Sequence, residues 1–149
     1  EIIKLAPVYR TLDSTAGLHP IWVSSGQHGE MADRTLAAFG LAPDLRLDPP
    51  PDSESLGVRL GHLIAAFDRA FAEAEPDIVL VQGDTSTTAA AAIAAFSRRL
   101  PIGHVEAGLR TFDLTSPFPE EAWRTVVGEL TALHFAPTEG AAANLRAAG

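Results

Sequence analysis

Three acidic side chains stand at the boundaries of predicted strands and helices, close together in the chain. Asp84 follows the mainly apolar segment 78–83, Glu106 follows the segment 101–105, and Glu120 opens a helix after the proline-rich turn 116–119. If the first two segments are neighbouring parallel strands, Asp84 and Glu106 lie at the same carboxyl edge of the sheet. Open α/β sheets bind ligands at that edge. Acidic groups gathered there indicate proton-transfer chemistry.

The polar segment that contains Asp84 has two interpretations. Residues 83–88 read Gly-Asp-Thr-Ser-Thr-Thr at a predicted strand-to-helix turn, where hydroxyls and free amides form a rim suited to an anion. Alternatively, Asp84 or Thr85 merely caps the following helix. One acid and four hydroxyl residues exceed what a single cap requires.

The other charged residues near these acids also have structural alternatives. His104 should point to the same side of its strand as Glu106, and it could hydrogen-bond to a substrate or to a carboxylate. Arg110 could instead pair with Glu106. Arg124 lies four residues after Glu120, on the same helix face. It forms either an intrahelical ion pair or a phosphate contact.

Two further features have ordinary explanations. The helix macrodipole favours acids in the first turn, which is a sufficient account of one of Glu120 and Glu121. Gln27 and His28 lie on a glycine-flanked loop after a predicted strand, where a solvated loop is the alternative to a ligand site.

The composition limits the classes of function. The 149 residues carry a net charge of −8 without a basic stripe, which argues against a nucleic-acid partner. The absence of cysteine excludes disulfides and thiolate metal sites, and is compatible with a reducing, cytoplasmic setting. No apolar stretch is long enough to span a bilayer. The five histidines show no metal-ligand spacing, and the sequence contains no dinucleotide fingerprint, Walker-type loop or nucleophilic serine elbow.

Hydrophobic periodicity and breakers predict alternating helices and strands. Strands are expected at 21–24, 77–81, 102–105 and 132–136, and helices at 1–12, 31–39, 53–75, 85–99, 120–130 and 139–148. This alternation predicts one α/β domain over residues 1–149, with a parallel sheet flanked by helices. The proline-rich segment 44–52 is expected to be an extended surface loop, with a linker between domains as the alternative. Both ends of the chain suggest truncation.

Three ordered motifs resemble the non-hydrolysing UDP-N-acetylglucosamine 2-epimerase family. They are the strand and Gly-Asp-Thr turn at 76–85, the His-Val-Glu-Ala-Gly-Leu-Arg segment at 104–110, and the Pro-Glu-Glu helix start at 119–121. Weaker matches cover Lys4, the Gln27-His28 loop and Arg59. The sequence departs from the family at Trp123, where asparagine is usual.

The resemblance implies the first, Rossmann-like domain of a two-domain, glycosyltransferase-B-like fold, without its N-terminal strand and second domain. It implies a cytoplasmic homodimer that epimerises UDP-N-acetylglucosamine at C2 for cell-envelope polysaccharide biosynthesis. That reaction requires no redox cofactor or metal. By resemblance, Asp84, Glu106 and Glu120 would be catalytic; Lys4, His104 and Arg124 would bind substrate; and Gln27, His28 and Arg59 would contact an activating UDP-sugar.

Two other functions remain open for the sequence. The first is a nucleotide-sugar glycosyltransferase with the same fold, which would transfer the sugar to an acceptor. The second is a non-catalytic binding domain derived from an epimerase, which Trp123 favours. We expect neither a nucleic-acid partner nor an association with a membrane.

Overall fold

The computed structural model describes residues 1–27, 29–50 and 54–149. The chain divides into two compact units, Glu1–Asp52 and Ser53–Gly149. The boundary falls at the end of the proline-rich segment 44–52, for which a linker between domains was the alternative prediction. The prediction of a single Rossmann-like domain over 1–149 stays a prediction.

The first unit contains two helices and two short strands. Helix α1 covers Ile2–Asp13, strand β1 Val23–Ser24, helix α2 Gly29–Ala38 and strand β2 Leu45–Arg46. The two strands pair in parallel, with Val23 opposite Leu45. The carboxylate of Asp44 accepts a hydrogen bond from the backbone amide of Trp22 at 2.7 Å, which fixes the chain ahead of both strands.

The second unit is a three-stranded parallel sheet with helices. It consists of α3 (Leu56–Ala74), β3 (Val79–Gln82), α4 (Ser86–Ser97), β4 (Ile102–Val105), α5 (Glu120–Leu130), β5 (Leu133–Phe135) and α6 (Glu139–Ala148). The strand order is β3-β4-β5, and every pairing in this sheet is parallel. All three strands therefore end at the same edge, and the helices begin beyond it.

Side-chain caps explain where three of these helices begin. Ser55, Thr85 and Thr138 each have extended backbone and accept a hydrogen bond from the amide three residues later, at the starts of α3, α4 and α6. Helix α4 is made largely of alanine, so β3, β4, α3 and α5 all pack closely against it. The core of the unit lies around α4 and the inward face of α3, where Leu63 is completely buried.

The predicted fold class, an α/β structure with parallel sheets flanked by helices, is confirmed. The prediction that 44–52 is entirely loop is wrong, because β2 forms within it. A two-residue strand between prolines has no readable alternation, and its pairing with β1 is supplied by a distant segment. The predicted helix start at Ser53 lies outside the described residues; the helix itself begins at Leu56. Among the described helices, none is long and apolar enough to cross a membrane.

Candidate active site

Asp84 and Glu106 follow two strands that lie side by side. Strand β3 pairs with β4 so that Gln82 is opposite Val105. Each strand is followed by a residue in the left-handed region, Gly83 with φ 76° and Glu106 with φ 67°. Both acids therefore leave the sheet at its carboxyl edge, as predicted. In open α/β sheets this is where ligands bind.

Asp84 does not cap the helix that follows it. The cap is Thr85, whose hydroxyl oxygen accepts from the amide of Thr88 at 3.3 Å. The hydroxyl of Thr88 in turn donates to the backbone carbonyl of Gln82 at 2.7 Å, which ties the first turn of α4 to the end of β3. The alternative that Asp84 serves as the cap is therefore excluded, and its carboxylate is available for another role.

The carboxylate of Asp84 instead binds Arg124. The guanidinium Nε donates to Asp84 Oδ2 at 3.0 Å, and Nη2 donates to the same oxygen. The remaining Nη1 donates to Oε2 of Glu121 at 3.1 Å. The side chains of Arg124 and Asp84 are 14% and 28% exposed. Arg124 thus joins helix α5 to the turn after β3, rather than pairing only within its own helix.

Glu106 is held in an uncommon backbone conformation. A positive φ is unusual for a residue with a side chain. The amides of Glu106 and Ala107 both donate to the carbonyl of Phe135, at 3.0 and 3.2 Å, which pins this turn to the end of β5. The carboxylate accepts a hydrogen bond from Nε2 of Gln82 on the adjacent strand. Glu106 is therefore fixed at both its backbone and its side chain.

His104 is buried beneath these acids, with 1% of its surface exposed. Its Nε2 donates to the carbonyl oxygen of Gly83 at 2.7 Å, while Nδ1 has no hydrogen-bond partner among the described residues. Burial lowers the pKa of His104, and the hydrogen bond to Gly83 opposes this shift; His134 and Arg110 lower the pKa further, while Asp84 raises it. Through the bond to Gly83, the ring supports the turn that precedes Asp84.

Helix α5 places three neighbouring side chains differently. Glu120 is half-buried at its first position, whereas Glu121 is fully buried. Trp123 turns toward α4, and its indole Nε1 donates to the hydroxyl of Ser86 at 3.2 Å. The indole therefore bridges two helices at the site.

The remaining predicted residues occupy other positions. Lys4 is exposed in the first turn of α1, and Gln27 is half-buried in the turn after β1; both belong to the first unit. Arg59 is half-buried near the start of α3 in the second unit. His28 lies outside the described residues. The roles assigned to these four residues stay predictions.

Gln82 and Glu121 are parts of the site that sequence reasoning did not select. Gln82 is a polar residue at the end of an otherwise apolar strand, and this position could have marked it as a site residue. Glu121 lies three residues before Arg124, a spacing that permits an ion pair on one helix face. Nothing local in the sequence distinguishes its environment from that of Glu120.

Among residues 1–27, 29–50 and 54–149, no three histidine, aspartate or glutamate side chains are grouped so as to hold a metal ion. The site that the structure describes contains carboxylates, one guanidinium, the amide of Gln82, the imidazole of His104 and the indole of Trp123.

Comparison with known proteins gives the family. The family model for UDP-N-acetylglucosamine 2-epimerase matches residues 10–149. The chain belongs to this family. Curated UDP-N-acetylglucosamine 2-epimerases from Salmonella typhimurium and Escherichia coli K12 are each 43% identical to it over 145 residues. That match covers 97% of the chain and 39% of either relative, so the chain spans about two fifths of their length.

Solved epimerase structures have the same fold. The enzyme from Neisseria meningitidis bound to UDP-GlcNAc superimposes with a TM-score of 0.95 at 40% identity, over 99% of this chain and 40% of that one. The enzyme from Methanocaldococcus jannaschii, in complex with UDP-GlcNAc and UDP, gives a TM-score of 0.90 at 34% identity. That alignment covers all of this chain and 41% of the other. The family predicted from the sequence motifs is confirmed.

Proposed function

We propose that the full-length protein carrying this sequence is an isomerase that interconverts UDP-N-acetylglucosamine and UDP-N-acetylmannosamine. The observation that carries the proposal is the arrangement at one sheet edge. Asp84 and Glu106 follow adjacent parallel strands, and Arg124 binds Asp84 from helix α5. Membership of the epimerase family, and relatives whose structures hold UDP-GlcNAc, support the choice of substrate.

The chemistry requires groups of this kind. Carbon 2 of the sugar has no adjacent carbonyl, so its proton is not acidic enough for simple removal and return. In the proposed route the C1–O bond breaks, UDP leaves with the bonding electrons, and a base removes the C2 proton to give a 2-acetamidoglycal. A proton then adds to C2 on the opposite face, and UDP reforms the bond to C1. Positioned acids and bases are each worth about 10²–10⁴ in rate.

We assign the proton transfers jointly to Asp84, Glu106 and Glu120, without dividing the roles among them. Arg124 and Lys4 are the proposed cations for the diphosphate leaving group, or for orienting the carboxylates. His104 remains in the proposed substrate-binding set, and its bond to Gly83 offers a way to act through the turn before Asp84.

The deciding experiment incubates the full-length protein with UDP-N-acetylglucosamine in deuterated water. Deuterium at C2 together with the manno epimer supports the proposal. Release of UDP that depends on an added acceptor would identify a glycosyltransferase instead, and no reaction at all would leave only a binding role.

Substitution tests the two acids at the strand ends. Asp84→Asn and Glu106→Gln should each lower turnover at least about a hundredfold, because each removes a group proposed to transfer protons. Asp68→Asn is the matched control, since Asp68 pairs with Arg98 away from the site and its side chain is 45% exposed. Near-normal turnover in both site variants would refute their catalytic assignment.

We also propose that Gln27, His28 and Arg59 contact an activating UDP-sugar, as the resemblance implies. Alanine at each of the three should abolish any sigmoidal dependence of rate on substrate. Hyperbolic kinetics that all three changes leave unaltered would count against this role. The homodimer and the cytoplasmic location are likewise proposals, and light scattering of the full-length protein tests the former.

A further inference from the structure

Glu121 is a buried carboxylate at the start of α5, with 1% of its surface exposed. Its Oε1 accepts hydrogen bonds from the backbone amides of Thr111 and Phe112, both at 3.0 Å. Its Oε2 accepts from Nη1 of Arg124 at 3.1 Å. The two oxygens therefore hold different parts of the molecule: one binds the loop after β4, the other the arginine of α5.

Stabilisation of the helix does not account for this arrangement. An acid in the first turn gains about 0.3–1 kcal/mol from the helix dipole while exposed. Burial of a carboxylate instead costs several kcal/mol unless its partners replace the lost water. Glu120, one residue earlier, already places an acid in the first turn without full burial. The hydrogen bonds of Glu121 to the loop after β4 and to Arg124 therefore explain why this carboxylate is buried.

The connection runs through Arg124 to Asp84. A guanidinium is planar, and its donors point in fixed directions. Nε and Nη2 of Arg124 both contact a single oxygen of Asp84, which by itself leaves the plane free to tilt about that oxygen. The contact of Nη1 with Glu121 supplies a second fixed point. We propose that Glu121 is a positioning residue, which orients Arg124 against Asp84 and fixes residues 111–112 beside the site.

This role rests on the proposed epimerase function, and it yields a specific expectation for Glu121→Gln. The amide oxygen can still accept from both backbone amides, so the loop is retained. The amide NH₂ group then faces Nη1 of Arg124, so two donors oppose each other and the arginine is displaced. Because a displacement of about 1 Å in an active site can cost about a hundredfold, we expect kcat to fall about 10–100-fold with KM changed less than about threefold.

The experiment measures kcat and KM for UDP-N-acetylglucosamine in the full-length protein. Glu129→Gln is the matched control, because Glu129 is an exposed acid on the same helix and substitutions at exposed positions seldom disturb the fold. Glu121→Gln is also combined with Arg124→Ala. If Glu121 acts through Arg124, adding Glu121→Gln to the Arg124→Ala variant lowers kcat less than about twofold further, because the arginine that Glu121 orients is already absent.

Four results would overturn the positioning role or the function on which it rests. If kcat of Glu121→Gln equals that of the Glu129→Gln control, the positioning role is overturned. The role is also overturned if the fold-losses in kcat of Glu121→Gln and Arg124→Ala multiply in the double variant. Should Glu121→Gln not fold, Glu121→Asp is measured instead. It keeps the charge but is too short to hold both sets of partners, so unchanged kcat overturns the role as well. A wild-type protein without epimerase activity would overturn the proposed function, and this inference with it.

Discussion

Adding one methyl group at Gly108 tests how closely the loop after β4 packs against helix α6. Its φ is 87°, and a Cβ built there would lie 2.3 Å from the carbonyl oxygen of Ala141 and 2.8 Å from Cγ of Leu145 in α6. Carbon–oxygen contacts normally measure about 3.3 Å or more, so the backbone of α6 would have to move by about 1 Å. Such a shift would also disturb the bond that Asn144 Nδ2 donates to the carbonyl of Gly108 at 3.0 Å.

The expected cost of Gly108→Ala has two parts. The left-handed backbone costs a residue with a Cβ about 1–2 kcal/mol. Forcing an extra methyl against packed backbone costs about 1–3 kcal/mol. We therefore expect the free energy of opening around α6 to fall by about 2–5 kcal/mol.

Native-state hydrogen exchange of the α6 amides, in the full-length protein, measures this free energy locally. Gly61→Ala is the matched control. Gly61 lies inside α3 with no atom within 4 Å of a built Cβ, so alanine there should stabilise the helix by about 0.5–1 kcal/mol. If Gly108→Ala lowers the free energy of opening of the α6 amides by less than about 1 kcal/mol, the steric reasoning is refuted.

Two further predictions concern side chains buried or half-buried at the site. Because burial lowers the pKa of His104, the unfolded chain binds a proton that the folded chain excludes, so the free energy of unfolding should fall as pH drops below about 6.5. His104→Gln keeps a donor for the Gly83 carbonyl but does not titrate, so the free energy of unfolding should depend less on pH between about pH 5 and 7. Denaturation at several pH values measures this dependence, and the same dependence in wild type and variant would contradict the prediction. Trp123→Phe removes the indole donor to Ser86 and should cost about 0.5–1.5 kcal/mol in thermal or urea unfolding. Ser86→Ala should cost a similar amount, and a double variant with fully additive losses would rule out the shared bond.

Local signals in the sequence were sufficient for elements that carry their own boundaries. Helix α5 begins at Glu120 and ends at Leu130 as predicted, because a proline-rich turn precedes it and an amphipathic stripe defines its length. Strand β4 also matches, since its apolar run is bounded by Pro101 and the turn at Glu106. Strand β2 was missed because it exists only through its pairing with β1. The local sequence of β2 does not show that β1 will pair with it.

The same distinction applies to the site. The positions of Asp84 and Glu106 followed from strand ends and the rule for parallel sheets. The burial of Glu121 instead depends on how α5 is rotated about its own axis, which its packing against α4 decides. A helical pattern alone places Glu120 and Glu121 about 100° apart. It does not say which of them faces the loop and which stays near the surface.

The alanines of α4 have a consequence for how this protein tolerates substitution. Ala89, Ala90, Ala92, Ala94 and Ala95 have no exposed surface at all. Neighbouring elements surround the helix, so any larger residue at these positions would push against α3, the sheet or α5. Pressure on α5 would move Arg124 away from Asp84. In a saturation mutagenesis screen for activity, we therefore expect this chemically inert helix to accept as few replacements as the acids themselves.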